Sequence, residues 1–170
     1  MSKAVLISIR PKWCELIASG KKTIEVRKTA PKIETPFKCY IYCTKEGRGV
    51  GEIPYRHFYQ APDGARHFIG GTVIGEFMCD KMFKFSTRVY LGDEQEKSDD
   101  EIVSKSCVPR QELRAYEGSH FGIYGWHISD LKIYDTPKRY VSAIYKGSCQ
   151  DPTFEIKRPP QSWCYLEAQT

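Results

Sequence analysis

Between Gly20 and Arg27 the chain reads GKKTIEVR, which gathers two amines (Lys21, Lys22), a hydroxyl (Thr23), a carboxylate (Glu25) and a guanidinium (Arg27) in one short stretch. An amine at the rim of an apolar surface is partly desolvated, which makes it a candidate proton acceptor or nucleophile. Acid–base or nucleophilic catalysis needs such a group or an activated water, and a donor for a developing negative charge. Lys22 suits the first role and Thr23 the last, with a glutamate left to orient water. The alternative for Lys22 is a packed stem with its head in water. Strand alternation puts Lys22, Ile24, Val26 and Lys28 on one face and Thr23, Glu25 and Arg27 on the other. By that parity Glu25 pairs with Arg27 rather than with Lys22, and Lys21 points to water, where it can meet phosphate.

The elements that must position these groups are short. KAVLISIR reads as a buried strand, and Pro11 suits the first turn of a helix. In PKWCELIASG the residues Trp13, Leu16 and Ile17 follow helical spacing, and Gly20 supplies the stop. Arg10, where strand passes to helix, is placed to contact a phosphate or a carbonyl.

Charge singles out the same segment. The net charge of the chain is +5, and from Arg10 to Lys32 seven basic residues, Lys12 among them, face only Glu15 and Glu25. The rest of the chain is balanced, so the whole excess lies in one segment. That is either a solvated basic face or a patch that meets phosphate.

Seven cysteines without an export signal point to reduced thiols. Cys39 and Cys43 share a strand face but sit roughly 13 Å apart, too far to share a metal. No metal and no cofactor are expected. The apolar run Ala4–Ile9 is too short for a signal segment, and no stretch approaches the ~20 apolar residues of a membrane span. The expectation is a cytoplasmic protein of one domain over residues 1–170.

Farther on, FKCYIYCT (37–44) reads as a strand, and 45–71 as an inserted loop or hairpin whose His57 and His67 suit the surface. TVIGEFMCDKMFKF (72–85) reads as one long strand with Gly75 at a bulge. The acidic run 92–101 reads as a solvated loop, and 108–118 as a helix. A strand region spans 121–135, ended by Pro137, and QSWCYL (161–166) reads as a last strand. This is an α+β order, which predicts a mixed β-barrel of about five to seven strands flanked by short helices. For stacking on bases the chain offers Tyr124, Trp126, Trp163 and Tyr165. Gly125 leaves room beside Trp126, which could equally plug the core. His127 follows with opposite parity.

ISIRPKWCELIASGKKTIEVRK resembles the opening signature of ASCH domains, a branch of the PUA-like superfamily, with its GxKTxExR strand. YGWHISDLKIYD and KRPPQSWCYL are similar to later blocks of phage and bacterial ASCH proteins. The resemblance implies a PUA-like barrel with a cleft around the first helix, binding RNA or a modified nucleoside or nucleotide. Some ASCH proteins hydrolyse acetylcytidine, and others are ribonucleases. In the amidohydrolase pattern a lysine and a threonine act with a later glutamate. The lysine falls on Lys22, Glu25 stands where that pattern has threonine, and Glu112 or Glu117 is the candidate for the later glutamate. A catalytic set of Lys22, Glu25 and Glu112 follows if the chain is an enzyme. The binding set is Arg10, Lys12, Lys21, Lys22, Thr23, Arg27, Trp126, His127 and Trp163.

Overall fold

In the computed structural model of the protein, which describes residues 3–45, 58–60, 66–68, 70–88, 95–139 and 159–167, strand β1 (Lys3–Ile9) is buried from Ala4 onward. Helix α1 (Pro11–Ala18) follows directly, with Pro11 in its first turn and Pro11, Cys14 and Ile17 on its buried side. Strand β2 (Ile24–Arg27) comes next, and then β3 (Phe37–Cys43), which pairs parallel with β1. Parallel neighbours need a crossover. Here α1 and β2 supply it, and β2 leaves the first sheet to join a second.

The first sheet has the order β10-β1-β3-β6-β9, where β6 is Thr72–Cys79, β9 is Ser129–Arg139 and β10 is Trp163–Glu167. The second has the order β2-β8-β7, with β7 Met82–Phe85 and β8 Ile123–His127. Two short strands, β4 (Phe58–Gln60) and β5 (Arg66–Phe68), pair with each other. Most of the segment expected as an insertion at 45–71 lies outside the described residues. Helices α2 (Gln95–Ser106) and α3 (Arg110–Glu117) complete a mixed α+β architecture.

Several expectations are corrected. No closed barrel forms among the described residues. The strands hydrogen-bond as separate sheets, and the described residues hold ten strands rather than about five to seven. The run 72–85 is two strands, because the chain leaves β6 at Asp80 and Lys81 to enter the second sheet as β7. Pro137 does not end β9, whose place at the sheet edge tolerates a residue without an N–H. Residues 95–101 of the acidic run are helical. Asp99, Ile102 and Ser106 form the buried stripe of α2, and only one of the three is apolar, so hydrophobic periodicity gives no sign of it.

Gly75 does lie at a register irregularity where β6 meets β3 and β9, and a Cβ there would come within 2.4 Å of the Lys132 carbonyl oxygen. Only glycine permits that approach.

The main core fills the space between the two sheets. Val5, Ile7 and Ile9 of β1, Phe37, Cys39, Ile41 and Cys43 of β3, and Trp126 of β8 meet Cys14 and Ile17 of α1 there. A second cluster lies across the β2-β8-β7 sheet, where Ile24, Val26, Phe85 and Ile123 pack with Ile102 of α2 and Leu113 of α3.

Candidate nucleic-acid interface

The turn between α1 and β2 is built from both ends. Gly20 adopts φ +73°, a conformation that other residues rarely take. Its N–H donates to the Ile17 carbonyl at 2.9 Å, and the Lys22 N–H donates to Leu16 at 3.0 Å. The orphan carbonyls at the end of α1 are satisfied in this way, and Lys22 is folded back over them. The expected stop at Gly20 is thus where the chain turns.

Residues 21–23 are also tied to the end of α2. The Thr23 N–H donates to Lys105 O at 3.0 Å, and the Cys107 thiol lies 3.3 Å from Lys21 O. The Lys22 ammonium donates to Ser106 O at 2.6 Å. A cation on the last carbonyls of a helix is favoured by the helix dipole. No signal in the sequence pointed to Ser106, since α2 itself was not expected.

Lys22 is 2% exposed. Its Nζ also donates to Ile24 O at 2.8 Å and pairs with Glu25 Oε2 at 3.2 Å. The ammonium thus makes two hydrogen bonds to backbone carbonyls and an ion pair with Glu25, whose Oε2 accepts no hydrogen bond. The Trp13 ring, 5.4 Å from Nζ, closes one side of the site. This pairing corrects the parity argument that separated Lys22 from Glu25. Residue 22 precedes the strand, which begins at Ile24, so alternation does not govern it.

Glu25 is shared. Its Oε1 forms an ion pair with Arg27 Nη2 at 3.0 Å, and the same nitrogen donates to Ser8 O at 2.6 Å. Lys22, Glu25 and Arg27 thus form a buried chain of two cations on one carboxylate. Arg27 is the member nearest solvent, with its side chain 11% exposed. Cys14 is close enough to feel both Glu25 and Arg27. Burial, reinforced by a hydrogen bond with Cys43, holds its thiol well above the ordinary range and makes it an inert neighbour.

In the β2-β8 ladder Glu25 stands opposite Trp126, and Arg27 opposite Tyr124, so these four share the face turned to the main core. Two donors on that face, Arg27 Nε and the indole N–H of Trp126, are buried without a hydrogen-bond partner. Trp126 is fully buried, and a row of rings leads away from it. Phe37 lies 5.8 Å and Trp163 5.9 Å from its centroid, and Tyr165 lies 5.3 Å beyond Trp163. Trp163, only partly buried, donates its indole N–H to Thr29 Oγ1 at 3.0 Å.

The other site candidates are distributed more widely. Arg10 is exposed at the N-cap of α1, and Lys21 is exposed in the turn. Lys12 is exposed too, with its ammonium 4.2 Å from the Trp13 centroid and 3.7 Å from Glu112. Glu112 is accordingly a surface partner of Lys12. Glu117 is buried and accepts from Ser86, Thr87 and Gly122. The carboxylate at Lys22 is Glu25, not a later glutamate. His127 lies on the opposite ladder face from Trp126, where Nδ1 meets Asp80 Oδ1 at 2.6 Å, and this contact holds the Asp80 carboxyl below its ordinary range. Among the described residues no group of three His, Cys, Asp or Glu side chains could hold a metal ion. No helix among them is long and apolar enough to cross a membrane.

A family model described as the ASCH domain matches residues 7–92. The fold is similar to the crystal structure of ASCH from Zymomonas mobilis, at 18% identity and TM-score 0.62 over 96% of this chain and 87% of that one. A tyrosine-to-phenylalanine mutant of the same Zymomonas mobilis protein matches at 18% identity and TM-score 0.62, covering 98% of this chain and 91% of that one. No curated protein matches the chain significantly.

Proposed function

The chain belongs to the ASCH domain family, and from that premise we propose that it binds RNA or a modified nucleotide on the surface around α1 and the turn into β2. The observation that carries this reading is the buried chain of Lys22, Glu25 and Arg27, with the unmatched Nε of Arg27 at its end nearest solvent. Buried polar groups are almost always paired, and leaving a donor unmet costs about 1–3 kcal/mol. Two cations on one carboxylate also leave an interior excess of positive charge. Both features suit an incoming acceptor, such as a base carbonyl or a phosphate oxygen. Arg10, Lys12 and Lys21 lie exposed at the two ends of α1 and suit the sugar-phosphate backbone. The partly buried rings of Trp13 and Trp163 suit the base.

No bond-breaking step is assigned to Lys22. Its Nζ is buried, bonded to Ile24 O and Ser106 O and ion-paired with Glu25, so it is turned to the protein's own groups rather than to a substrate. Its work in this reading is to hold Glu25, and through it Arg27, in place. The test is the salt dependence of single-stranded RNA binding. Replacing Lys12 and Lys21 together by Ala should weaken binding and lower the log–log salt slope by about 0.7 for each phosphate that is no longer neutralised. An unchanged affinity at every salt concentration overturns the assignment of this surface.

A further inference from the structure

At the Phe85–Ile123 end of the β7-β8 pair, a cavity of about 290 Å³ is lined by Lys84, Phe85, Ser86, Arg88, Asp99, Phe121 and Gly122. Its rim carries Phe121, which is 82% exposed. One exposed ring is ordinary by itself. The surroundings of this ring are not. The Arg88 guanidinium carbon lies 5.6 Å from the Phe121 centroid, and its Nη2 donates to Gly118 O at 2.9 Å, which fixes the cation beside the ring. Lys84 is exposed on the same rim.

The walls are held by one buried carboxylate. Glu117 Oε1 accepts from Ser86 Oγ at 2.7 Å and from the Gly122 N–H at 3.1 Å. Its Oε2 accepts from the Thr87 N–H at 2.9 Å and from Thr87 Oγ1 at 2.6 Å. The segment at 86–87 and the loop at 121–122 therefore hang on the same residue, which ties together the backbone that carries Arg88 and Phe121. Gly122 has φ +90°, and a Cβ there would come within 3.2 Å of both Lys84 Cε and Phe85 O, so a larger residue would crowd the cavity wall.

We propose that this cavity is a second nucleotide subsite, in which a base of single-stranded RNA stacks on Phe121 while its phosphate meets Lys84 and Arg88. The charge pattern selects this ligand. Cations stand at the rim, whereas the wall holds the Asp99 carboxylate. An acidic peptide side chain entering the cavity would meet that carboxylate. A nucleotide keeps its anion outside and can turn an exocyclic amino group toward Asp99, whose oxygens together accept several hydrogen bonds. The volume is at the low end of ligand pockets, which suits one nucleotide unit. The inference extends the proposed function to a second contact on the same strand of RNA.

Two readouts separate this subsite from the interface around α1. In wild-type protein, AMP should move the backbone amide resonance of Gly122, and Phe121→Ala should abolish that movement while the rest of the spectrum stays folded. For a single-stranded oligoadenylate of about 12 nucleotides, Phe121→Ala should weaken binding about 5-fold to 150-fold, the range of one base-aromatic stack. Lys84→Glu should weaken it as well and flatten its salt dependence. If Gly122 stays still at every AMP concentration and Phe121→Ala binds the oligonucleotide like wild type, the subsite is overturned. The interface around α1 would then stand or fall on Lys12 and Lys21 alone. If instead AMP moves Gly122 while the oligonucleotide does not bind, the cavity takes a free nucleotide only, and the RNA readings of both this subsite and the α1 surface are overturned.

Discussion

The two faces of strand β2 differ in kind. Ile24 and Val26 turn toward α2 and α3 and pack with Phe85, Ile102, Leu113 and Ile123. Glu25 and Arg27, one residue out of step, turn toward Trp126 and carry charge into the main core. Both faces are buried, yet one is replaceable packing and the other a coupled network in which each member is needed by its neighbours. A fold that needed only stability would fill both faces alike. The charged face is therefore where function is sought.

The largest expected break comes from removing the shared carboxylate. Glu25→Ala leaves Lys22 and Arg27 buried without their anion and should cost about 3–5 kcal/mol, read as a lowered midpoint in urea unfolding. A cost below about 1 kcal/mol, the range of exposed pairs, would place the network in solvent instead.

Next in size is the carboxylate that holds the cavity wall. Glu117→Gln removes a charge that accepts four hydrogen bonds and should cost about 1.5–3 kcal/mol. Burial raises the pKa of Glu117, but hydrogen bonds from Thr87, Ser86 and Gly122 outweigh it, so the folded pKa lies below the ordinary one. Its contribution is therefore present above the unfolded value, near 4.3, and is lost as pH falls through the folded pKa. Wild type should lose stability in acid more steeply than Glu117→Gln in parallel melts from pH 7 to pH 3.

On the apolar face the effect is smaller. Ile24→Val should cost about 0.5–1.5 kcal/mol and leave RNA affinity unchanged within twofold. Lys21→Ala, in the exposed turn, should change stability by less than about 0.5 kcal/mol while still lowering the salt slope of binding. If Ile24→Val weakened RNA binding as much as Lys21→Ala, the contrast between the faces would lose its functional meaning.

The apolar face was the legible one. Ile24 and Val26 announce themselves by alternation, as Trp13 and Ile17 do by helical spacing, and Gly20 marks the turn by its chemistry. The charged face was half legible. Composition located the cations and their place beside α1, but a period of two assumes that the strand has begun, and at Lys22 it has not. The partner at Ser106 was hidden because α2 buries Asp99 and Ser106 beside Ile102, a stripe too polar to register as a helix. The division of 72–85 at Asp80 was equally silent, since both halves are apolar and the change of sheet is a long-range event. Pairing across the sheets, not local pattern, decided these points.

The central claim is that the ligand meets Arg27, the member of the buried network nearest solvent, which shares a ladder face with Trp126. Its most direct test is the indole N–H resonance of Trp126, assigned with Trp13→Phe and Trp163→Phe and followed while single-stranded RNA is added. The account predicts a shift that saturates together with binding, as the buried indole reports the change at Arg27, and that is absent in Arg27→Ala. RNA that binds tightly while the indole resonance stays where it was would contradict it.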